Sequence, residues 1–266
     1  MIINVVGDVT GFGLTLEELY KQLPHGEFWG LGDIIDRGPN SKVALDFFIN
    51  GGHNSVMGNH DHMMLYEKIK NDPGVHWRLY PPGCWGWNGG EQTAQSFGLQ
   101  YLYEWDWKNY PEYYKFIESM PLIHNIDALQ LTHAPLNNKK EKKLLDLNEI
   151  NKSDILLDRS ILWNRFAPTE QKGKFQVYGH NSPKGVLWHT AKNPQGIYMS
   201  DQLEVPEGAW AVCIDTWREG YLTALTIDTD KLENPKEAIK VTQQTIIDPG
   251  DWQPTKKVKQ KAGYLW

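Results

Sequence analysis

Short apolar runs, each closed by a glycine or a polar residue, recur along most of the chain. Ile2-Ile3-Asn4-Val5-Val6 reads as a buried strand ended by Gly7-Asp8. Phe28-Trp29-Gly30-Leu31 runs into Gly32-Asp33, and Asn54-Ser55-Val56-Met57 into Gly58-Asn59-His60-Asp61. Leu129-Gln130-Leu131-Thr132 ends at His133, and Phe175-Gln176-Val177-Tyr178 at Gly179-His180. Ala211–Ile214 and Leu222–Ile227 carry the alternating or β-branched composition of two further strands.

Helical spacing falls between the early runs. Thr15–Leu23 puts Leu16, Leu19 and Leu23 on one face, and Thr15 with Glu18 has capping-box spacing. Ser41–Phe48 and His62–Ile69 repeat the helical pattern. Strand, loop, helix, strand at short range predicts α/β organisation, and the strand-rich later chain makes the class mixed. We expect one domain over residues 1–266, with an aromatic-rich helical insert over about 71–120 and a basic tail over about 251–266. That tail, Lys256-Lys257-Val258-Lys259-Gln260-Lys261, reads as a solvated terminus.

Composition narrows the classes. With 266 residues, the chain is long enough to bury about three-quarters of its unfolded surface, so the core needs no disulfide staple. Cys84 and Cys213 could make at most one bond, and nothing points to an oxidising compartment. The first residues lack a basic start, and no apolar run approaches the ~20 residues of a membrane span. A cytoplasmic protein without membrane partners is expected. The formal charge of −6 argues against a general nucleic-acid binder. Many of the 12 Trp and 12 Tyr crowd between His76 and Tyr114, which predicts a subdomain packed by its rings, with a stacking wall for a base or aromatic side chain as the alternative.

The candidate chemistry lies at the strand ends. In open α/β sheets, ligands gather beyond the carboxyl ends of the strands. Asp8, Asp33, Asn59, His133 and His180 all fall there, and a glycine that permits a tight turn precedes four of them. Carboxylate, amide oxygen and imidazole together suit a borderline divalent ion such as Mn, Fe or Zn better than calcium. Asp36-Arg37 lies one short turn beyond Asp33, and a guanidinium grips phosphate oxygens with a planar fork. His60 follows Asn59 and is placed to serve as a general acid oriented by Asp36.

These blocks resemble calcineurin-like metallophosphoesterases. Gly32-Asp33-Ile34-Ile35-Asp36-Arg37-Gly38, Gly58-Asn59-His60-Asp61, Thr132-His133-Ala134 and Tyr178-Gly179-His180 are similar to that family's signatures. Arg37 directs the resemblance to the branch of lambda-phage phosphatase, bacterial serine/threonine phosphatases and symmetrical dinucleoside-tetraphosphate hydrolases. Trp87-Asn88-Gly89-Gly90, Leu162-Trp163-Asn164-Arg165 and Ile214-Asp215-Thr216 extend it. The resemblance implies a four-layer α-β-β-α sandwich and two metal sites. Asp33 would bridge two metals, Asn59, His133 and His180 would complete the second site, and Asp8 would belong to the first. Arg37, Arg165 and Asn59 would bind the substrate phosphate, and His60 with Asp36 would protonate the leaving oxygen. Metal-activated water would attack phosphorus in line, with no phosphoenzyme.

The chain departs from the family at Thr10. The family pattern Gly-Asp-X-His-Gly reads Gly7-Asp8-Val9-Thr10-Gly11 here, and a hydroxyl is a far weaker ligand than imidazole for Mn, Fe or Zn. Neither His25 nor His62 is placed as a replacement. Three accounts compete: weak filling of the first site with catalysis retained, a single tight metal with impaired activity, or a binding-only protein. Retention of both arginines and the His60–Asp36 pair favours activity. The leading reading is a Mn-dependent phosphomonoesterase acting on phosphoserine, phosphothreonine or small phosphoesters. The alternatives are dinucleoside-tetraphosphate hydrolysis and phosphate binding without turnover. His53, His76, His124 and His189 match no ligand position, Asp61 is expected to support a ligand from behind, and Asp215 to close a strand. Lys139, Lys140, Lys142 and Lys143 read as a solvated loop, with attraction of anionic substrates as the alternative because they follow His133 closely.

Overall fold

The computed structural model describes residues 1–69, 80–137 and 160–249. The histidine at 76, the lysine run at 139–143 and the basic tail lie outside these residues.

Two mixed sheets pack face to face. The first holds β1 (Ile2–Val6), β2 (Glu27–Gly30), β3 (Asn54–Ser55), β10 (Tyr221–Asp228) and β11 (Ile239–Thr245), in the order β11-β10-β1-β2-β3. The second holds β4 (Ile123–Ile126), β5 (Leu129–Thr132), β6 (Phe175–Tyr178), β7 (Leu187–Thr190), β8 (Ile197–Tyr198) and β9 (Ala209–Cys213), in the order β4-β5-β6-β9-β7-β8. Strand alternation explains the sandwich. Ile3, Val5, Trp29, Leu225 and Ile227 point from the first sheet into a core shared with Leu129, Leu131, Val177, Trp188 and Val212 of the second. The alternate positions Val6, Phe28, Leu222 and Ala224 face a second core beneath the helices. These helices include α1 (Gly13–Tyr20), α2 (Ser41–Gly51), α3 (Asn59–Ile69), α4 (Glu91–Ser96) and α5 (Pro111–Ser119). Two four-residue helices complete the set among the described residues, α6 (Ser160–Trp163) and α7 (Pro235–Ala238).

The parallel pairings place the site. β1, β2 and β3 run parallel in one sheet, and β5, β6 and β9 run parallel in the other. Their carboxyl ends deliver Asp8, Asp33 and Asn59 from the first sheet, and His133, His180 and Asp215 from the second.

Helix α1 starts earlier than the capping-box spacing predicts. Thr15 lies inside the helix, and the cap comes from the far end of the chain. Asp248 accepts from the N–H groups of Leu14 and Thr15 at 3.1 and 2.9 Å, and from the Thr15 hydroxyl at 2.5 Å. The oxygen that accepts from Leu14 also accepts from Asn40 Nδ2 at 2.7 Å. A buried carboxylate thus satisfies orphan N–H groups 233 residues away, where negative charge suits a helix N-terminus. Asp248→Ala is expected to cost about 1–3 kcal/mol. Urea denaturation should show a lower midpoint at unchanged slope; an unmoved midpoint would mean the contact contributes nothing.

The aromatic insert is largely packing, as expected. Tyr80, Trp85, Tyr113 and Tyr114 are buried in the helical core, with Phe97, Trp105, Trp107 and Tyr110 packed against them. The rings meet edge to face, as for Trp85 on Trp105 at 5.3 Å and 83° and Phe97 on Tyr113 at 4.9 Å and 84°. Trp87, Tyr101 and Tyr103 remain exposed. Among the described residues no helix is long and apolar enough to cross a membrane. Both cysteines are free.

Candidate metal and phosphate site

The strand-end residues meet in one small cavity of about 70 Å³. Asp8, Thr10, Asp33, Arg37, Asn59, His60, Arg165 and His180 line it. His133 and Asp36 stand directly behind, both fully buried. Neither His25 nor His62 joins them: His25 is exposed, and the His62 ring bonds the Tyr80 hydroxyl at 2.7 Å. His53 packs among Phe28 and Phe47, His124 stacks on Trp29 at 3.8 Å, and His189 bonds the Tyr178 hydroxyl at 2.6 Å.

The glycines act through close approach more than through turn geometry. Of the four that precede strand-end residues, only Gly32 has a left-handed φ, +83°. A Cβ on Gly58 would strike the Asp33 carboxylate, and one on Gly179 the Asp8 carboxylate. The left-handed strain falls on the functional residues themselves, with φ of +52° at Thr10, +49° at Asp33, +77° at Asp36, +62° at Arg37 and +66° at His180. Such conformations cost of order 1–3 kcal/mol each and persist only where the surroundings hold them.

One half of the cavity is built for a cation. His133 Nδ1 faces the Leu31 carbonyl at 2.8 Å, so the proton sits there and Nε2 presents a lone pair. That lone pair faces Asn59 Oδ1 at 2.9 Å, His180 Nδ1 at 3.2 Å and Asp33 Oδ1 at 3.4 Å. Burial, then His133 and Arg165, push the His180 ring well below its ordinary pKa, which keeps it neutral. Acceptors crowded this closely repel one another without a positive ion between them. Asp33, His133 and His180 form the one metal-capable cluster among the described residues, and the donor set fits a borderline divalent ion.

The Asp8 half does not fit in the same way. Asp8 accepts from the His180 N–H at 3.1 Å to each oxygen, and burial, Asp215 and Asp33 all raise its pKa well above the ordinary range. Thr10 Oγ1 is buried with no hydrogen-bond partner, and the metal-capable cluster of Asp33, His133 and His180 does not include Asp8 or Thr10. Asp215 accepts from the N–H and hydroxyl of Ser182 at 2.6 Å each, tying the loop after His180 to the end of β9.

Beside this cluster runs a proton-holding network. His60 Nδ1 meets Asp36 Oδ2 at 2.6 Å, and His60 Nε2 meets the Arg37 guanidinium at 3.1 Å. Arginine can only donate, so Nε2 is unprotonated here and Nδ1–H points to Asp36. Burial disfavours charge on this ring, but the carboxylates of Asp33 and Asp36 outweigh it and raise its pKa, with Arg37 opposing them. Asp36 is itself held by Trp85 Nε1 at 3.0 Å and the Thr93 hydroxyl at 2.7 Å. The insert therefore orients the His60–Asp36 pair as well as packing the core. Asp61 fills the supporting place expected of it, accepting from the N–H groups of Asp33, Gly58 and Ile34 at 2.7, 3.0 and 3.1 Å.

The family model for calcineurin-like phosphoesterases matches residues 1–201. The chain belongs to that family. The fold is shared with a protein serine/threonine phosphatase from Saccharomyces cerevisiae, at TM-score 0.56 and 13% identity over 94% of this chain and 82% of that one. It is also shared with a cold-active protein tyrosine phosphatase variant, at TM-score 0.52 and 16% identity over 92% and 80%. A symmetrical bis(5'-nucleosyl)-tetraphosphatase from Shewanella putrefaciens is 37% identical over 75 residues, which is 25% of this chain and 27% of the relative. The chain thus matches only about a quarter of that relative's length.

Three residues of this phosphoesterase site carry no sequence signal, Ser182, Trp217 and Arg218. Trp217 and Arg218, on the turn after β9, line the same cavity. Arg37 and Arg218 both lie against the Trp217 ring, at 5.5 and 5.2 Å from its centroid. No motif marks them, since Trp-Arg-Glu on a turn reads as ordinary surface. Gly89, with φ +114°, brings the backbone of the insert against Arg37, where a Cβ would meet the Arg37 amide at 2.5 Å.

Proposed function

We propose that this phosphoesterase is a metal-dependent phosphomonoesterase of the serine/threonine phosphatase branch, acting on phosphoproteins or small phosphoesters. The observation that carries the proposal is the opposition across one cavity of the Asp33–Asn59–His133–His180 cluster and the Arg37–His60–Asp36 network. A bound divalent ion, Mn foremost with Fe or Zn as alternatives, would supply charge to a phosphoryl oxygen and acidify a water. Arg37 and Arg165 would neutralise and orient the phosphoryl oxygens, with Asn59 beside them. Arg165 follows α6, anchored by Asn164 Nδ2 on the Pro135 carbonyl at 2.6 Å, just past His133. His60 would hold a proton at Nε2 for the leaving oxygen, with Asp36 fixing the ring through Nδ1. The cavity accepts a phosphate group and little more, so the alcohol side of the substrate would lie along the rim.

Dinucleoside-tetraphosphate hydrolysis is the second reading, favoured by the partial match to the Shewanella putrefaciens relative. Purified protein with added Mn is expected to release orthophosphate from nitrophenyl phosphate and from a phosphoserine peptide. Two nucleoside diphosphates from the tetraphosphate, with no phosphate from the peptide, would select the second reading. No hydrolysis of any of these at saturating Mn would leave phosphate binding without turnover.

A further inference from the structure

Two of the three arginines lining the cavity have partners within the protein. Arg37 contacts His60, and Arg165 donates to the His180 carbonyl at 3.4 Å. Arg218 makes no hydrogen bond or ion pair among the described residues, and its guanidinium lies over the face of Trp217 at 5.2 Å. That ring also carries Arg37, so one indole holds two guanidinium groups. Like charges held together by a rigid ring repel, and anionic groups of a ligand would relieve that repulsion. Arg218 is exposed at the rim, whereas Arg37 is half-buried beside the metal cluster. The two forks therefore sit at different depths of one cavity. The inner volume of about 70 Å³ has room for one phosphate group, so a second anion would lie outward, on the Arg218 side.

We propose that Arg218, braced on Trp217, binds a second phosphoryl group adjoining the one held by Arg37 and Arg165, so that a ligand carrying two linked phosphoryl groups binds more tightly than a lone phosphate. The geometry is one ring, two guanidinium forks and one cavity. A planar fork meets two phosphoryl oxygens at once, and a lysine would supply the charge without the fork. The proposal rests on the phosphoester reading above only in placing the first phosphate between Arg37 and Arg165.

The test compares two non-hydrolysable probes by calorimetric titration at a fixed free Mn concentration: inorganic phosphate, and methylenediphosphonate with its two phosphoryl groups on a carbon bridge. The wild-type protein is expected to bind the diphosphonate more tightly. Arg218→Ala should lower the ratio of diphosphonate to phosphate affinity about tenfold or more, and Arg218→Lys should keep part of it. Equal losses for both probes would overturn the second-group role and put Arg218 in the inner clamp. Unchanged affinities for both probes in Arg218→Ala would overturn the proposal outright. If the wild-type protein turns over no phosphoester yet keeps an Arg218-dependent ratio, the functional reading fails and this one stands.

Discussion

His60→Asn is expected to slow alkyl phosphoesters by about 10²–10⁴-fold while slowing nitrophenyl phosphate much less. The amide can occupy the ring's place beside Asp36 but cannot give up a proton. An alkoxide leaving group needs that proton, and a nitrophenolate does not. The two substrates share the phosphoryl group, so a general loss of binding would slow both alike. Equal slowing would remove His60 from the role of leaving-group acid. The pH dependence carries the same argument. Asp33 and Asp36 raise the ring's pKa against its burial, so the acid form persists to higher pH than for a free histidine. Rates on alkyl esters should fall as pH rises through that raised value, and the fall should be muted for nitrophenyl phosphate. In the resting arrangement Arg37 donates to Nε2, the atom that must carry the proton. A phosphate that draws Arg37 away would remove that opposition, so substrate binding itself would favour the protonated ring.

The strand ends were legible because the cause is local. An apolar run, a glycine and a ligand-type side chain read out directly as strand, close approach and aimed donor, as at Val6-Gly7-Asp8 and Tyr178-Gly179-His180. The outcome for Asn59 differed in one respect. The helix that follows begins at Asn59 itself, not at His62, so Asn59 and His60 share a helical first turn. What the sequence concealed lies in contacts between distant segments. Asp248 gives no sign of capping a helix that starts at Gly13. Strand β11 shows only Ile239 and Val241 against a polar background, and as an edge strand it needs no more. Trp85 and Thr93 read as packing residues of the insert, yet their donors converge on Asp36 from more than 40 positions away. Arg218 carries no sequence signal because turn residues have no periodicity, and the sheet alone brings that turn beside β1 and β2.

Placing an imidazole at position 10 is expected to raise the number of tightly bound metal ions from close to one to two. With Thr10, a second equivalent of Mn should enter only well above the concentration that fills the first. Thr10→His should move that second midpoint down by at least about 10–100-fold, the range that even changes behind a ligand produce. Elemental analysis and Mn titration read this without any turnover. The backbone adds its own reason. Thr10 sits at φ +52°, where a β-branched residue is a steric outlier and histidine is comparatively well tolerated. Its N–H bonds the Asp33 carbonyl at 2.7 Å and its carbonyl accepts from Gly38 at 2.9 Å, so the loop is held in this shape whatever side chain it bears. The hydroxyl is buried without a partner, and the cavity lies open beside it. An imidazole should enter that space at no cost in thermal stability. If Thr10→His gains neither the second equivalent nor a lower Mn midpoint, the loop is shaped for threonine. The first site would then be absent in this chain, and Asp8 would serve only to hold the His180 turn.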